Sequence, residues 1–423
     1  MKRFLLPLAL LALAPLCAGN NWPRFLGPTG QSLSDATGLP ITWSETEHVK
    51  WKTPIHGKGW SSPVVWGDQI WLTTASDDAR DLSVLTIDRT SGKIIRDQKL
   101  FHVEKPQFIH AFNSAASPTP AIEAGRVYVT FGSPGTACLD TQTGKVLWER
   151  RDFICDHWRG AGSSPTIWGN LLILHFDGAD FQYVVALDKL TGKTVWQTNR
   201  SIDFQDLKPD GKPAADGDFR KAFSTPLVIT HAGQPLLVSV GSKATYAYEP
   251  ATGKELWRIE DRRFHSGSVC PLYGHGLIFT ATGLAKGELW AVRPGGSGIV
   301  TDTHVAWKVS RNVPNRPTPV LVGDLLFMVA QDTGVVTCLE AKTGQEIWSE
   351  RLPGKGNHST SPLHADGRLY FCNENGESFV LAAGREFKVL ATNKLDAGCM
   401  ASPAVTGKSL ILRTKTALYR IEQ

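Results

Sequence analysis

Three carboxylates stand where a general base or a cation ligand could work: Asp177 in "HFDGAD", Asp332 in "AQDTG" and Glu374 in "CNENG". Each sits beside Gly or Asn between two apolar runs. That context favours tight turns, so the residues read first as hairpin formers and no base is assigned to them. A second set is cationic and aromatic. Lys58, Trp60, Arg159, Lys221, His265, Arg316 and His358 lie a few residues ahead of regularly spaced prolines, with His110, Asn113 and His157 slightly further upstream. Brought to one mouth, these side chains would form a basic, aromatic-edged funnel for an anionic group, because converging positive charge between low-dielectric walls focuses the field. Left apart, they are ordinary solvated loop charges. The linear signatures HExxH, GxSxG and GxxxxGK[ST] are missing, and no catalytic residue is assigned.

The cysteines offer little more chemistry. None has a CxxC or Cys/His spacing suited to zinc, so no metal site is expected. Cys138, Cys338 and Cys372 fall inside apparent strands, and Cys155, Cys270 and Cys399 in loops or at strand starts. Cys138 and Cys338 hold the same place in different repeats, where each serves as a small buried hydrophobe. A disulfide among the rest stays open, and spacing does not specify its pairing.

The elements that must position these groups are repeats. "CLDTQTGKVLWER" from Cys138 returns as "ALDKLTGKTVWQT" from Ala186, "AYEPATGKELWRI" from Ala247 and "CLEAKTGQEIWSE" from Cys338. Upstream of each copy stands a second marker: Ser or Thr, then a proline, then a short apolar strand broken by Gly. The aligned prolines are Pro63, Pro120, Pro165, Pro226, Pro271, Pro319, Pro362 and Pro403, which makes eight units. Each unit alternates short strands with turn signals, and Asp188 with Gly192 supplies the acceptor side chain and positive φ of a tight hairpin. Self-similarity at this period predicts an all-β, eight-bladed propeller of four-stranded antiparallel blades.

Closure is also legible. Only three strands fit between Pro403 and Gln423, whereas "HVKWKTPI" reads as an outer strand with Trp51 in the repeat position. The expectation is that Val49–Pro54 completes the last blade. The repeat tryptophans, Trp148, Trp196, Trp257, Trp307 and Trp348, are expected on outer strands, packed against the neighbouring blade. Blades one, five and seven are irregular, with Arg96 in the tryptophan position of blade one. Two excursions interrupt the pattern: Phe101 to Ala116, and the polar, Pro/Gly-rich stretch Arg200 to Lys221, which reads as a mobile surface loop.

Lys2 and Arg3, an apolar run from Phe4 to Leu16, and small residues at Ala18 and Gly19 have the layout of a secretory signal over 1–19, too short for a comfortable membrane span. One propeller domain, 20–423, is therefore expected to be periplasmic or secreted. Cys17 follows Ala14, Pro15 and Leu16, which lacks the small residue that a lipid anchor wants. The formal charge of +5 falls to +3 without Lys2 and Arg3, and no run of five like charges invites nucleic acid.

The "ALDxxTGKxxW" repeat resembles the tryptophan-docking motif of the quinoprotein superfamily, whose eight-bladed members include pyrroloquinoline quinone (PQQ) dehydrogenases and BamB-type components of outer-membrane assembly. The opening "NWPRFLGPTGQSLSDATGLPITW", with "CDHWRGAGSSP" and "VTDTHVAWKV", is similar to the secreted PQQ-binding-like propeller repeat proteins abundant in planctomycetes and verrucomicrobia. In the dehydrogenases the resemblance implies a quinone held between a Trp floor and an adjacent-cysteine disulfide, with Ca²⁺ on converging oxygens. This chain has no Cys-Cys pair, so no cofactor is expected, and PQQ with Ca²⁺ is the alternative. The leading expectation is a monomeric, exported binding or scaffold protein that recognises a protein, peptide or polymer of the cell envelope through its loops and channel mouth. The rival is a PQQ- or metal-dependent oxidoreductase acting on an exported alcohol or sugar. Polysaccharide binding would need exposed aromatic platforms, for which Trp60 and Trp158 are the loop tryptophans available.

Overall fold

Proline cannot donate to a strand ladder, so a Ser-Pro or Thr-Pro step leaves the preceding N–H free to find another acceptor. In the computed structural model, which describes residues 20–284 and 287–423, that acceptor is the equivalent side chain of the next blade. The N–H of Ser62 donates to Thr119 Oγ1, that of Thr119 to Ser164 Oγ, and that of Ser164 to Thr225 Oγ1. At the next step the Thr225 main chain faces the Cys270 thiol, and Cys270 N–H donates to Thr318 Oγ1. Thr318 donates to Ser361, Ser361 to Ser402, and Ser402 back to Ser62. Bonds between nitrogen and hydroxyl oxygen in this ring measure 2.9–3.0 Å. Eight blades thus share one closed belt around the axis.

Eight antiparallel sheets follow from the eight repeats, each with its inner strand just after the belt residue. Blade one comprises Val64–Trp66, Gln69–Ala75, Asp81–Asp88 and Ile94–His102. In blade eight, Ala404–Thr406, Ser409–Arg413 and Ala417–Ile421 are completed by Val49–Pro54, with Trp51 opposite Arg420 and Pro54 opposite Ala417. The two ends of the chain therefore share one sheet, as the sequence predicts. At the same seam the buried Arg413 guanidinium donates to Ser61 O, Ser61 Oγ and Thr73 O, and burial without a carboxylate lowers its pKa to about 9. Blade four gains a fifth strand, Gly298–Ile299, that runs parallel to its outer strand Glu255–Glu260.

The rim is held by the repeat tryptophans. Trp148 donates its indole N–H to Lys189 O of the next blade at 3.0 Å, and its ring covers Gly192, where a Cβ would stand 2.7 Å from Trp148 Cδ2. Gly192 has φ +72°, so both its backbone and its missing side chain suit the turn. Trp51, Trp196 and Trp307 dock in the same way on the Arg89, Pro250 and Ala341 carbonyls, over Gly92, Gly253 and Gly344, while Trp348 donates to Gly384 O with Phe387 against its ring. Arg96 does the same work with other chemistry: its guanidinium lies over Gly144 and donates to Gln142 O at 2.9 Å. The irregular blade one keeps its docking contact.

The opening segment takes a place that the repeat pattern does not announce. Trp22 exchanges backbone bonds with Val65 of blade one, Pro23 O accepts from Ile122 of blade two, and Gln31 Oε1 accepts from Tyr273 N of blade five. Ser32 and Ser34 bracket His364 of blade seven, and Asn20 O accepts from Thr406 of blade eight. These partners all sit on the inner strands, and Phe25 lines the axial cavity, so residues 20–34 lie across one end of the channel as a plug. Trp22 and Leu26 are buried there. Arg24 packs against Gly30, and burial lowers its pKa to about 10. Among the described residues no helix is long and apolar enough to cross a membrane, and the expected signal segment lies outside them.

Replacing Trp148 by Ala strips the Gly192 turn of its cover, and a loss of about 3 kcal/mol is expected, as for other buried aromatic truncations. Arg96→Ala removes a partly exposed contact and is expected to cost about 1 kcal/mol. Urea denaturation of both variants against the parent checks the order.

Candidate functional site

Because the belt residues are small, the axis is not filled, and above the plug there is a cavity of about 210 Å³. All eight blades line it: Ser62, Thr119, Ser164, Thr225, Cys270, Arg316, Ser361 and Ser402 each face it from a different blade. Phe25 of the plug forms its floor. Trp60, Phe112, Phe223, Leu284 and Met400 give it apolar walls, and the mouth is polar.

The excursion after blade one forms part of that mouth. Phe112 receives the Arg316 guanidinium over its ring at 4.4 Å, and its carbonyl accepts from the Trp60 indole at 2.9 Å. Asn113 donates to Arg159 O at 2.8 Å and accepts from Ser117 Oγ at 2.6 Å. Arg159 of blade three and Arg316 of blade six both line the cavity. Arg316 shares Glu374 Oε1 at 3.3 Å with Ser359, which lies 2.6 Å from the same oxygen. Arg159 Nη2 is 3.8 Å from Asp218 Oδ1, while its buried Nε has no partner. Asn315 Oδ1 is likewise buried and unpartnered. The field of the pair reaches His110, whose ring is 4.3 Å from Phe112: burial first, then Arg159 and Arg316, lower its pKa.

Four of the ten funnel residues expected from sequence therefore meet at one cavity: Trp60, Asn113, Arg159 and Arg316. Lys58 stands behind Trp60, bonded to Ala111 O at 2.9 Å, and His110 packs on the outside of Phe112. His265 rests on Phe219 at 4.9 Å. The other three are buried in structural roles. Lys221 is fully buried and ion-paired with Asp218. His157 accepts from Ser133 N at 3.0 Å, and His358 lies against Phe379 and Gly334.

None of the three carboxylates lines the cavity. Asp177 forms a buried two-point pair with Arg200 at 2.6 and 2.8 Å, Glu374 holds Arg316 and Ser359, and Asp332 is an exposed turn residue beside Gln331. The stretch from Arg200 to Lys221, read from sequence as a mobile surface loop, is pinned at both ends by Asp177–Arg200 and Asp206–Arg220 pairs. Its Gly217 has φ +85°, and a Cβ there would stand 2.3 Å from Ala179 O. This tight seat delivers Asp218 and Phe219 to the mouth.

Phe25, Phe112, Phe223, Leu284, Asn315 and Met400 carry no motif. Two had indirect signals, since Phe112 lies in a flagged excursion and Asn315 adjoins Arg316. Trp158, nominated with Trp60 as an aromatic platform, does not line the cavity. All six described cysteines are free and buried. Among the described residues no group of three or more His, Cys, Asp or Glu could hold a metal ion.

A family model described as outer membrane protein assembly factor BamB matches residues 34–152, 83–219 and 180–423. Quinoprotein ethanol dehydrogenase from Pseudomonas putida is 30% identical over 249 residues, 55% of this chain and 37% of its own. The dehydrogenase subunit of the quinone alcohol dehydrogenase of Acetobacter aceti is 27% identical over 261 residues, 56% of this chain and 32% of its own. The matched region thus spans about a third of the length of these curated relatives. Among solved structures, a europium-containing methanol dehydrogenase superposes with a TM-score of 0.69 at 13% identity, covering 94% of this chain and 90% of that one. BamB from Moraxella catarrhalis gives 0.58 at 13% identity, over 88% and 99%. These likenesses carry the propeller fold and the broad grouping.

Burial lowers the pKa of His157 and His358 to about 4 from an ordinary 6.5. Between those values the unfolded chain binds protons that the native imidazoles refuse, so stability rises with pH across this window and falls on acidification. Urea midpoints at about pH 7 and about pH 4.5 are expected to differ less in His358→Phe than in the parent, because one such group is gone.

Proposed function

The chain belongs to the family described as outer membrane protein assembly factor BamB, and from that premise we propose that it is a ligand-binding propeller whose axial cavity takes a small, flat organic anion. The observation that carries this reading is the pairing of Arg159 and Arg316 at the mouth of an aromatic-walled, blind cavity. Guanidinium groups offer planar forks to a carboxylate, and the apolar walls below them suit a ring rather than a hydrated ion. The plug matters as much. With Phe25 as floor, the channel admits a small molecule from one side and gives a threaded polymer no exit. Export from the cytoplasm belongs to the same proposal, supported by the layout of the first nineteen residues.

A second reading, oxidation of an alcohol, is favoured by the quinone dehydrogenases among the relatives. A PQQ–Ca²⁺ centre needs six to eight oxygen ligands around the cation. Here the carboxylates bordering the mouth, Asp218 and Glu374, already pair with Lys221 and Arg316. The donor set does not fit such a centre, and no step is routed through one.

Titration calorimetry with PQQ, used as a flat polycarboxylate probe, separates the readings. Saturable one-to-one binding that ignores Ca²⁺ and weakens about tenfold in Arg159→Ala and in Arg316→Ala is expected, one charge-assisted bond being lost each time. Binding unchanged in both variants, or none at all, would overturn the anion cavity. Binding that requires Ca²⁺ and supports ethanol-dependent dye reduction would establish the second reading instead.

A further inference from the structure

Cys372 ends the strand Arg368–Cys372 of blade seven, and Cys399 lies in the connection from that blade's outer strand, Val389–Lys394, to blade eight. Both are about 2% exposed or less and belong to one core cluster at the seam of the ring. The Cys399 N–H donates to Asn373 O, the neighbour of Cys372, at 3.0 Å. The same cluster holds both side chains, and Ser378 Oγ donates to Cys372 Sγ at 3.3 Å. Cys138 and Cys338, by contrast, occupy equivalent strand positions in separate blades and separate core clusters.

We propose that Cys372 and Cys399 form a disulfide when the chain meets an oxidising thiol–disulfide pool, tying blade seven to the connection that enters blade eight. The chemistry is exchange with a small-molecule disulfide, RSSR. The Cys372 thiolate attacks one sulfur and releases RS⁻; the Cys399 thiolate then displaces the second RS⁻ and closes the protein disulfide. Two protein thiols are oxidised, one RSSR is reduced, and the protons leave with two RSH. Cys372 is the attacking group because the neighbouring Cys399 thiol and the Ser378 hydroxyl hold its pKa below the usual thiol value, whereas that of Cys399 is raised.

The bond has neighbours of consequence. Met400, next to Cys399, lines the axial cavity, and Glu374, two residues past Cys372, holds Arg316 and Ser359 at its mouth. Oxidation would therefore fix one wall of the cavity; this clause alone rests on the ligand-binding reading.

The test needs no ligand. The chain is incubated folded, and in parallel refolded from urea, in glutathione disulfide buffer; it is then alkylated in denaturant and mapped by mass spectrometry without reduction. A single cross-linked peptide joining Cys372 to Cys399, about 2 Da lighter than the sum of its dithiol forms, is expected. It should be absent from Cys399→Ala, and the oxidised parent should melt at higher temperature than the reduced parent. Full alkylation of both cysteines under both regimes, or cross-linking to other cysteines, would overturn the proposal whatever the cavity binds.

Discussion

The belt of eight backbone N–H groups, seven donating to a hydroxyl of the next blade and one facing the Cys270 thiol, is the constraint on which the rest of the molecule depends. Every donor precedes a proline and faces a buried interior, so a missing acceptor would leave a polar group without water or partner. The belt explains why small hydroxyl residues recur at the axis where larger apolar ones would also fit a β-sheet. It also sets the width of the channel, because each acceptor must reach the main chain of its neighbour with two or three side-chain atoms. Cys270 keeps the geometry with a weaker acceptor, a thiol among seven hydroxyls.

A second belt, at the rim, works by area rather than by polarity. Trp51, Trp148, Trp196 and Trp307 each cover a glycine turn of the following blade and add one hydrogen bond, and Trp348 keeps the hydrogen bond alone, so blade-to-blade adhesion is renewed at both radii. The substitution at Arg96 shows what the contact requires: a flat group with a donor edge, which guanidinium and indole both supply. Trp257 marks the opposite case. It is buried, yet its indole nitrogen has no partner, because the next blade lacks the regular turn and the fifth strand Gly298–Ile299 closes the edge instead.

Much of this was legible in the sequence because repetition multiplies a weak signal. A single Asp-x-x-Thr-Gly-Lys-x-x-Trp run is a hairpin with an aromatic; the same run in successive units, with a Ser or Thr before an aligned proline, is a ring. The closing strand was legible for the same reason, since Trp51 sits in phase with the repeat. The plug was not, because Asn20 to Ser34 has neither period nor alternation, and its bonds go to five different blades. Distance from a proline placed ten side chains near the mouth but could not say which way each one points. Lys221 turns inward because Asp218, brought back by the Gly217 turn, offers it a counter-charge, whereas Arg159 and Arg316 retain a face toward the cavity.

The same competition for counter-charges decides what the cavity can hold. Buried carboxylates persist where a cation meets them, and here Asp177 has Arg200, Glu374 has Arg316 and Asp218 has Lys221. Their negative charge is already balanced by the protein, so none is left to gather a hard cation, while Arg159, at 3.8 Å from a carboxylate that Lys221 also holds, is only partly compensated. A cavity built on uncharged hydroxyls below and an incompletely balanced guanidinium above is what the proposed reading requires, an anion with an apolar body being its expected guest. That expectation follows from the belt as directly as the fold does, because the belt fills the axis with groups that carry no charge and leaves the mouth to set the sign.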